Sequence, residues 1–311
     1  MPSVEHEEMV ARIVASGMQT PEEADPALIA AMRDHELTAL RPELPDMRVV
    51  DVSYGGVPCL EVTRLDDEGA GAVDGAVDGT VVYVHGGGYI WMRASTHLAV
   101  AAAFVRATGC RCISVDYRRA PEHPFPAPVE DLVAVYSALL DAGESPGTIA
   151  FAGDSAGGGL VVAGLVALRD AGIALPAAGV AISPWSDLAV TGASADTIDD
   201  PIVSGNALRM MARIYLAGAD PRSPTASPLY ADLTGLPPLL VQVGTRESLL
   251  DDARRLTAHA RAAGVAVTLT EFEDVIHMWV VSGPELPESL AAYGEAGEFV
   301  KTHLLRETPT R

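Results

Sequence analysis

The chain has 311 residues, 49% of them hydrophobic, and 42 acidic against 21 basic side chains leave a formal net charge of −21. That charge argues against nucleic acid or an anionic membrane surface as partner, and no apolar run reaches the roughly 20 residues of a membrane span. The acidic start, residues 1–8, has no signal-peptide core, and three cysteines (Cys59, Cys110, Cys112) suit neither a zinc knuckle nor a disulfide framework, so a reducing cytoplasm is expected.

Residues 5–40 read as helical, with Ile13, Leu28, Ile29, Met32 and Leu37 at broadly helical spacing. Pro21 after Thr20 suggests where a second helix begins. This pair is either part of the core or a lid. Residues 49–54 and 57–62 alternate around Gly55-Gly56, a hairpin signal. An acidic Gly-Ala-Val-Asp duplication then fills 71–78, within a stretch that reads as a surface loop. Strand patterns follow at 80–84, 112–115, 148–152, 178–182, 239–243 and 265–271. Helical ones lie at 98–108, 131–142, 156–170, 206–216, 251–263 and 287–304. Near-continuous apolar strands alternating with helices predict a mostly parallel sheet covered on both faces. The N-terminal helices and the block 185–219 break that rhythm, and both are candidates for a cap over the strands' C-terminal ends, where such folds bind ligands.

The element the chain is arranged around is Gly153-Asp154-Ser155-Ala156-Gly157, a G-x-S-x-G pattern between a strand and a buried helix. Ser155 would occupy a strained turn, with Gly153 and Gly157 leaving room and the helix start favouring negative charge. Alone, the pentapeptide also fits a glycine-rich loop without chemistry. A second stretch, His85-Gly86-Gly87-Gly88, follows a buried strand as the oxyanion motif of lipases and esterases does. The N–H groups of Gly87 and Gly88, with that of Ala156, are the expected oxyanion donors. His85 is expected to brace the loop. A phosphate loop is disfavoured because no Gly-Lys-Ser/Thr ending follows.

Among eight histidines, His277 alone stands just after the last strand, where the base of a Ser, acid, His order belongs. The acid is expected after the strand 239–243, where Glu247 is nearest and Asp251 is the alternative; an aspartate at a helix start is ordinarily a cap. Asp116-Tyr117-Arg118 reads as a loop brace. Trp91, Trp185, Met210, Met211, Tyr215 and Trp279 are either pocket lining or core.

These stretches together resemble the hormone-sensitive lipase family of α/β-hydrolases, in its bacterial esterase branch. The matches are His85-Gly86-Gly87-Gly88-Tyr89, Asp116-Tyr117-Arg118, Ala120-Pro121-Glu122, Pro126-Ala127-Pro128, Gly153-Asp154-Ser155-Ala156-Gly157-Gly158 and His277, spanning roughly 45–305. The resemblance implies an α/β-hydrolase fold, a mostly parallel eight-stranded sheet with a helical cap. The cap would be 1–45 and 186–219, and the catalytic core 46–185 and 220–311. Ser155 matches the family nucleophile, His277 the base, and Gly87, Gly88 and Ala156 the oxyanion donors. Where the family usually has Asp-Pro-Leu, this chain has Glu247-Ser248-Leu249.

The expected activity is hydrolysis of short-to-medium acyl esters, with a small-molecule ester as partner, no cofactor, no metal, no nucleic acid and no membrane. Lactones, acetylated sugars or xenobiotic esters would use the same machinery. The plant gibberellin receptors, which resemble this family without its histidine, mark a binding-only alternative. The family resemblance also suggests a homodimer.

Overall fold

The computed structural model describes residues 1–17, 19–38, 42–65 and 79–305, so the acidic duplication lies outside the described residues. Strands β1 (Met47–Tyr54) and β2 (Val57–Arg64) form the predicted antiparallel hairpin. Its turn places both Gly55 (φ 58°) and Gly56 (φ 82°) in the left-handed region, as a turn matched to strand twist requires. After it, β3 (Thr80–Val84), β4 (Arg111–Val115), β5 (Ile149–Asp154), β6 (Ala178–Ile182), β7 (Leu239–Arg246) and β8 (Val267–Ile276) run parallel to one another. The eight strands make one sheet in the order β1-β2-β4-β3-β5-β6-β7-β8, the α/β-hydrolase arrangement. Every residue of β3, β5 and β6 is buried, which explains their unbroken apolar runs.

Helices α3 (Leu98–Thr108) and α10 (Pro287–His303) pack against each other over one part of the sheet, with the short α9 (Trp279–Ser282) against both. Helices α4 (Ala127–Asp141) and α5 (Ala156–Asp170) pair likewise, and α8 (Leu250–Ala262) lies on β7 and β8. None of the described helices is long and apolar enough to cross a membrane.

Two boundaries differ from expectation in ways that matter. Strand β7 continues through Gly244-Thr245-Arg246 and β8 through Asp274-Val275-Ile276, so Glu247 and His277 each stand directly at a strand end. The N-terminal segment also departs. Helix α1 spans Val4–Ser16, but α2 spans Pro26–Thr38 and begins after Asp25, whose Oδ1 accepts from the Leu28 N–H at 2.8 Å. Thr20 is not its cap; its N–H instead donates to Ile202 O at 2.8 Å. That bond, with Ser204 Oγ on Glu22 Oε1 at 2.7 Å, joins the N-terminal segment to the second rhythm break. The latter is loop apart from the short α6 (Ser194–Thr197) and the predicted α7 (Gly205–Leu216).

Candidate active site

Ser155 connects β5 to α5 with φ 54° and ψ −120°, a conformation costing on the order of 1–3 kcal/mol for a non-glycine residue. The surroundings leave no alternative. Its N–H donates to Ile182 O at 2.8 Å, and its carbonyl accepts from Gly159 N at 3.1 Å and Trp185 N at 2.9 Å. A side chain on Gly157 would run into the Val84 and His85 carbonyls, and one on Gly153 into the Val84 and Gly157 carbonyls. Strand and helix therefore cross so closely that only glycine fits on either side.

His277 leaves the end of β8 and lies under the same edge, with Nε2 3.0 Å from Ser155 Oγ. Its Nδ1 is 2.9 Å from Glu247 Oε2. The other carboxylate oxygen accepts from Ser183 Oγ at 2.8 Å and from Gly244 N at 2.6 Å. A side chain on Gly244 would meet both the Val275 carbonyl and the Glu247 carboxylate, so that glycine makes room for the acid. Glu247 is fully buried and His277 3% exposed. Burial pushes the imidazole pKa down, but the hydrogen bond and charge of Glu247, with the charges of Asp200 and Asp154, outweigh it, and the pKa lies above the ordinary 6.5.

Asp251 is elsewhere. Its carboxylate accepts from Ser194 N at 3.0 Å, and its own N–H donates to Ser194 Oγ at 3.0 Å, so it fastens α6 to α8. Asp252 is buried too and accepts from the Ser186 and Asp187 N–H groups, both at 2.8 Å. Burial, with the charge of Asp187, pushes its pKa up to about 8.

The loop after β3 carries the remaining candidates. Gly87 (φ 101°) and Gly88 (φ 63°) are left-handed, as is Tyr89 (φ 63°). Among the described residues the N–H groups of Gly87, Gly88 and Ala156 make no hydrogen bond. Gly86 N donates to Asp154 Oδ1 at 3.1 Å, and the Tyr83 hydroxyl donates to the same oxygen. Burial alone would raise the Asp154 pKa, yet the His97 ring, 3.6 Å from Oδ2, and the Tyr83 bond bring it below its ordinary value. His85 stacks on Tyr117 at 4.2 Å, and the Tyr117 hydroxyl donates to His85 O at 2.8 Å. Burial and the neighbouring His97 push the His85 pKa down to about 3, so this ring is neutral and braces the loop.

Asp116 accepts from Ala94 N at 3.1 Å and Arg93 Nη2 at 2.8 Å, a brace as expected, but Tyr117 of that motif reaches the glycine loop itself. The aromatic and methionine candidates are all buried. Tyr215 of α7 stacks on Tyr89 at 3.9 Å, and the Met211 thioether lies against Gly88. Trp279 packs instead on Phe272, with ring centroids 4.6 Å apart. Sequence reasoning passed over Ser183, Asp200 and the loop-holding role of Asp154. A glycine directly after an apolar strand, Gly244, was the one local signal of a close approach there. Among the described residues no cluster could hold a metal ion.

A model of the alpha/beta hydrolase fold family matches residues 81–281. An acetyl-hydrolase of Streptomyces hygroscopicus is 51% identical over 225 residues, 72% of this chain and 75% of that protein. An esterase of Acinetobacter venetianus is 31% identical over 267 residues, 85% of each chain. Among solved structures, an esterase from the bacterial hormone-sensitive lipase family superposes with a TM-score of 0.87 at 43% identity, covering 98% of this chain and 100% of that one. EstE5, soaked with p-nitrophenyl butyrate, superposes equally with a TM-score of 0.87 at 39% identity, covering 97% and 99%. The chain belongs to the alpha/beta hydrolase fold family, in its bacterial hormone-sensitive lipase branch of serine carboxylesterases.

Proposed function

We propose that Ser155, His277 and Glu247 are the catalytic triad of a hydrolase for short acyl esters, acetyl esters foremost. The observation that carries the reading is the unbroken line from Ser155 Oγ through the His277 ring to Glu247, at 3.0 and 2.9 Å. In this reading His277 Nε2 takes the proton from Ser155 as Oγ attacks the ester carbonyl. The charge that develops on the carbonyl oxygen is received by the N–H groups of Gly87, Gly88 and Ala156, each such donor being worth about 3 kcal/mol of barrier. The alcohol leaves with the proton from His277, and water then releases the acid from Ser155 by the same steps. Glu247 keeps Nδ1 protonated and steadies the imidazolium.

Acyl size is argued from the wall beside the donors. Met211 against Gly88 and the Tyr215–Tyr89 stack crowd the loop at Gly88 and Tyr89, and in this reading the acyl chain extends past them. The name of the Streptomyces relative and the butyrate ester soaked into EstE5 support the same range. Residues 1–45 and 186–219, joined through the Thr20–Ile202 and Glu22–Ser204 bonds, act as the cap over this site. A homodimer through the β8 edge and α10 belongs to the reading, and a single-chain mass by light scattering would remove that part.

The test is hydrolysis of p-nitrophenyl acetate, butyrate, octanoate and palmitate by the wild type and Ser155→Ala. We expect kcat/KM to peak at acetate or butyrate, and Ser155→Ala to lower it on the order of 10⁴-fold or more. Absence of turnover on every ester, or full activity without the Ser155 hydroxyl, would overturn the assignment.

A further inference from the structure

The oxyanion loop has no strand or helix ladder of its own, so its aim depends on what grips its outer side. The Ile90 and Trp91 N–H groups both donate to Gly87 O, at 3.1 and 2.9 Å, closing a tight turn over Gly88 and Tyr89. Two successive carbonyls leave that turn on the outside. Tyr89 O is taken by Ala120 N at 2.9 Å. Ile90 O is taken by the guanidinium of Arg33, from Nε at 2.9 Å and Nη2 at 2.7 Å. The same Nη2 donates to Ala120 O, and Nη1 meets Glu122 Oε2 at 2.6 Å. One side chain on α2 thus binds the oxyanion turn and the loop that holds the turn's other carbonyl.

We propose that Arg33 is a positioning residue for the oxyanion hole, the link through which the N-terminal helices set the direction of the Gly87 and Gly88 N–H groups. The inference rests on the ester-hydrolase reading above. A planar fork is needed, because two carbonyls on different segments must be held at once; an ammonium gathers the same charge without the geometry. Arg33 touches no reacting atom. Its effect is therefore confined to states in which the oxyanion exists, which separates it from a simple fastener of the cap. Loosening a fastener changes substrate entry and stability; loosening an aimed donor changes transition-state binding.

The experiment compares wild type, Arg33→Met and Arg33→Lys, with Glu122→Gln as a control that removes only the outer ion pair. Each is assayed for kcat and KM on p-nitrophenyl acetate and for inhibition by a trifluoromethyl ketone, whose hydrated adduct on a serine carries an oxyanion. The fraction of chains labelled at completion by a fluorophosphonate counts intact sites. We expect Arg33→Met to lower kcat about tenfold with KM within about twofold of wild type, and to weaken the ketone by the same factor. Arg33→Lys is expected to fall between, and Glu122→Gln to stay near wild type. Full labelling with wild-type kcat and ketone affinity, or a rise in KM alone, would overturn the inference. Should Arg33→Met not fold, by circular dichroism, Arg33→Lys carries the same comparison. Failure of the esterase reading would look different, because the wild type itself would then neither label nor turn over.

Discussion

The turn at Ser155 and the loop 85–90, proposed above as nucleophile elbow and oxyanion loop, are both glycine-rich, both strained, and both at the end of a buried strand, yet they are held by different means. At Ser155 the φ of 54° is enforced by backbone alone: an N–H on Ile182 O, a carbonyl under Gly159 and Trp185, and carbonyls of β3 and the loop after it pressed against Gly157. The oxyanion loop, apart from the Ala120 N–H on Tyr89 O, is held by side chains brought from distant segments, Asp154 on Gly86, Tyr117 on His85 and Arg33 on Ile90. Strain carried by backbone has no slack. Strain carried by side chains can be released one contact at a time, and each release shifts the aim of the donors without undoing the fold.

Adding one methyl group to each glycine loop separates the two most sharply. In Gly157→Ala the new carbon meets the Val84 carbonyl, fixed in the sheet, and the His85 carbonyl, held by the Tyr117 hydroxyl, so the elbow itself must shift. We expect a loss of stability on the order of 4 kcal/mol, with esterase activity lost alongside. In Gly88→Ala the nearest atoms are the thioether end of Met211, which can move, and the remaining cost is the left-handed φ of 63°, about 1–2 kcal/mol. That variant is expected to melt cooperatively, with kcat reduced on the order of 100-fold. Equal shifts of the two melting curves would erase the distinction.

Glu247→Gln tests the third anchor, the one between strand ends. The charge and hydrogen bond of Glu247 are what lift the His277 pKa above 6.5 against burial. Because the base proposed at His277 must be neutral to act, the acid limb of kcat/KM in the wild type is expected to have its midpoint above 6.5. Removing the charge takes away the largest opposition to burial, so the midpoint moves down, while the unsupported imidazolium lowers the plateau on the order of 10²–10⁴-fold. The relative loss is therefore smallest at acid pH. A plateau near wild type would mean that the carboxylate is dispensable and that Asp251, bound to Ser194, deserves the same substitution.

Legibility in the sequence follows the same division. The elbow is local: an apolar strand, a glycine, a serine, a glycine and an Ala/Leu-rich helix in one contiguous stretch, so its residues announce their geometry. Each of the eight strands also shows as an apolar or alternating run. What the run does not show is where pairing stops. Gly244-Thr245-Arg246 and Asp274-Val275-Ile276 look like loop, yet β7 and β8 extend through them because the two strands pair with each other past an irregularity at 244–246. Arg33, Ser183 and Asp154 are illegible for a stronger reason. Each acts on a partner many residues away, so no local pattern could point to it. Thr20 and Pro21 gave a false helix start because Asp25-Pro26 offers the same chemistry, and the choice was made by the Thr20 bond to Ile202.

The smallest expected effect belongs to Asp154→Asn, and its smallness is informative. The amide oxygen can still accept from Gly86 N and the Tyr83 hydroxyl, so the grip on the oxyanion loop survives. What disappears is a negative charge beside the reacting serine. That charge helps raise the His277 pKa, and its loss lowers the midpoint of the acid limb. The same loss makes the neighbourhood of the oxyanion less negative, which favours the transition state. The lost charge also no longer steadies the imidazolium that forms in the transition state, which opposes these two gains, so with grip retained the expected change in kcat/KM at neutral pH is less than about tenfold. Asp154→Leu, which has no acceptor for Gly86 N, is expected to lose more, because it frees the loop itself. If Asn and Leu fall equally far, the charge of Asp154 governs the site, and the oxyanion loop has less slack than its side-chain anchors imply.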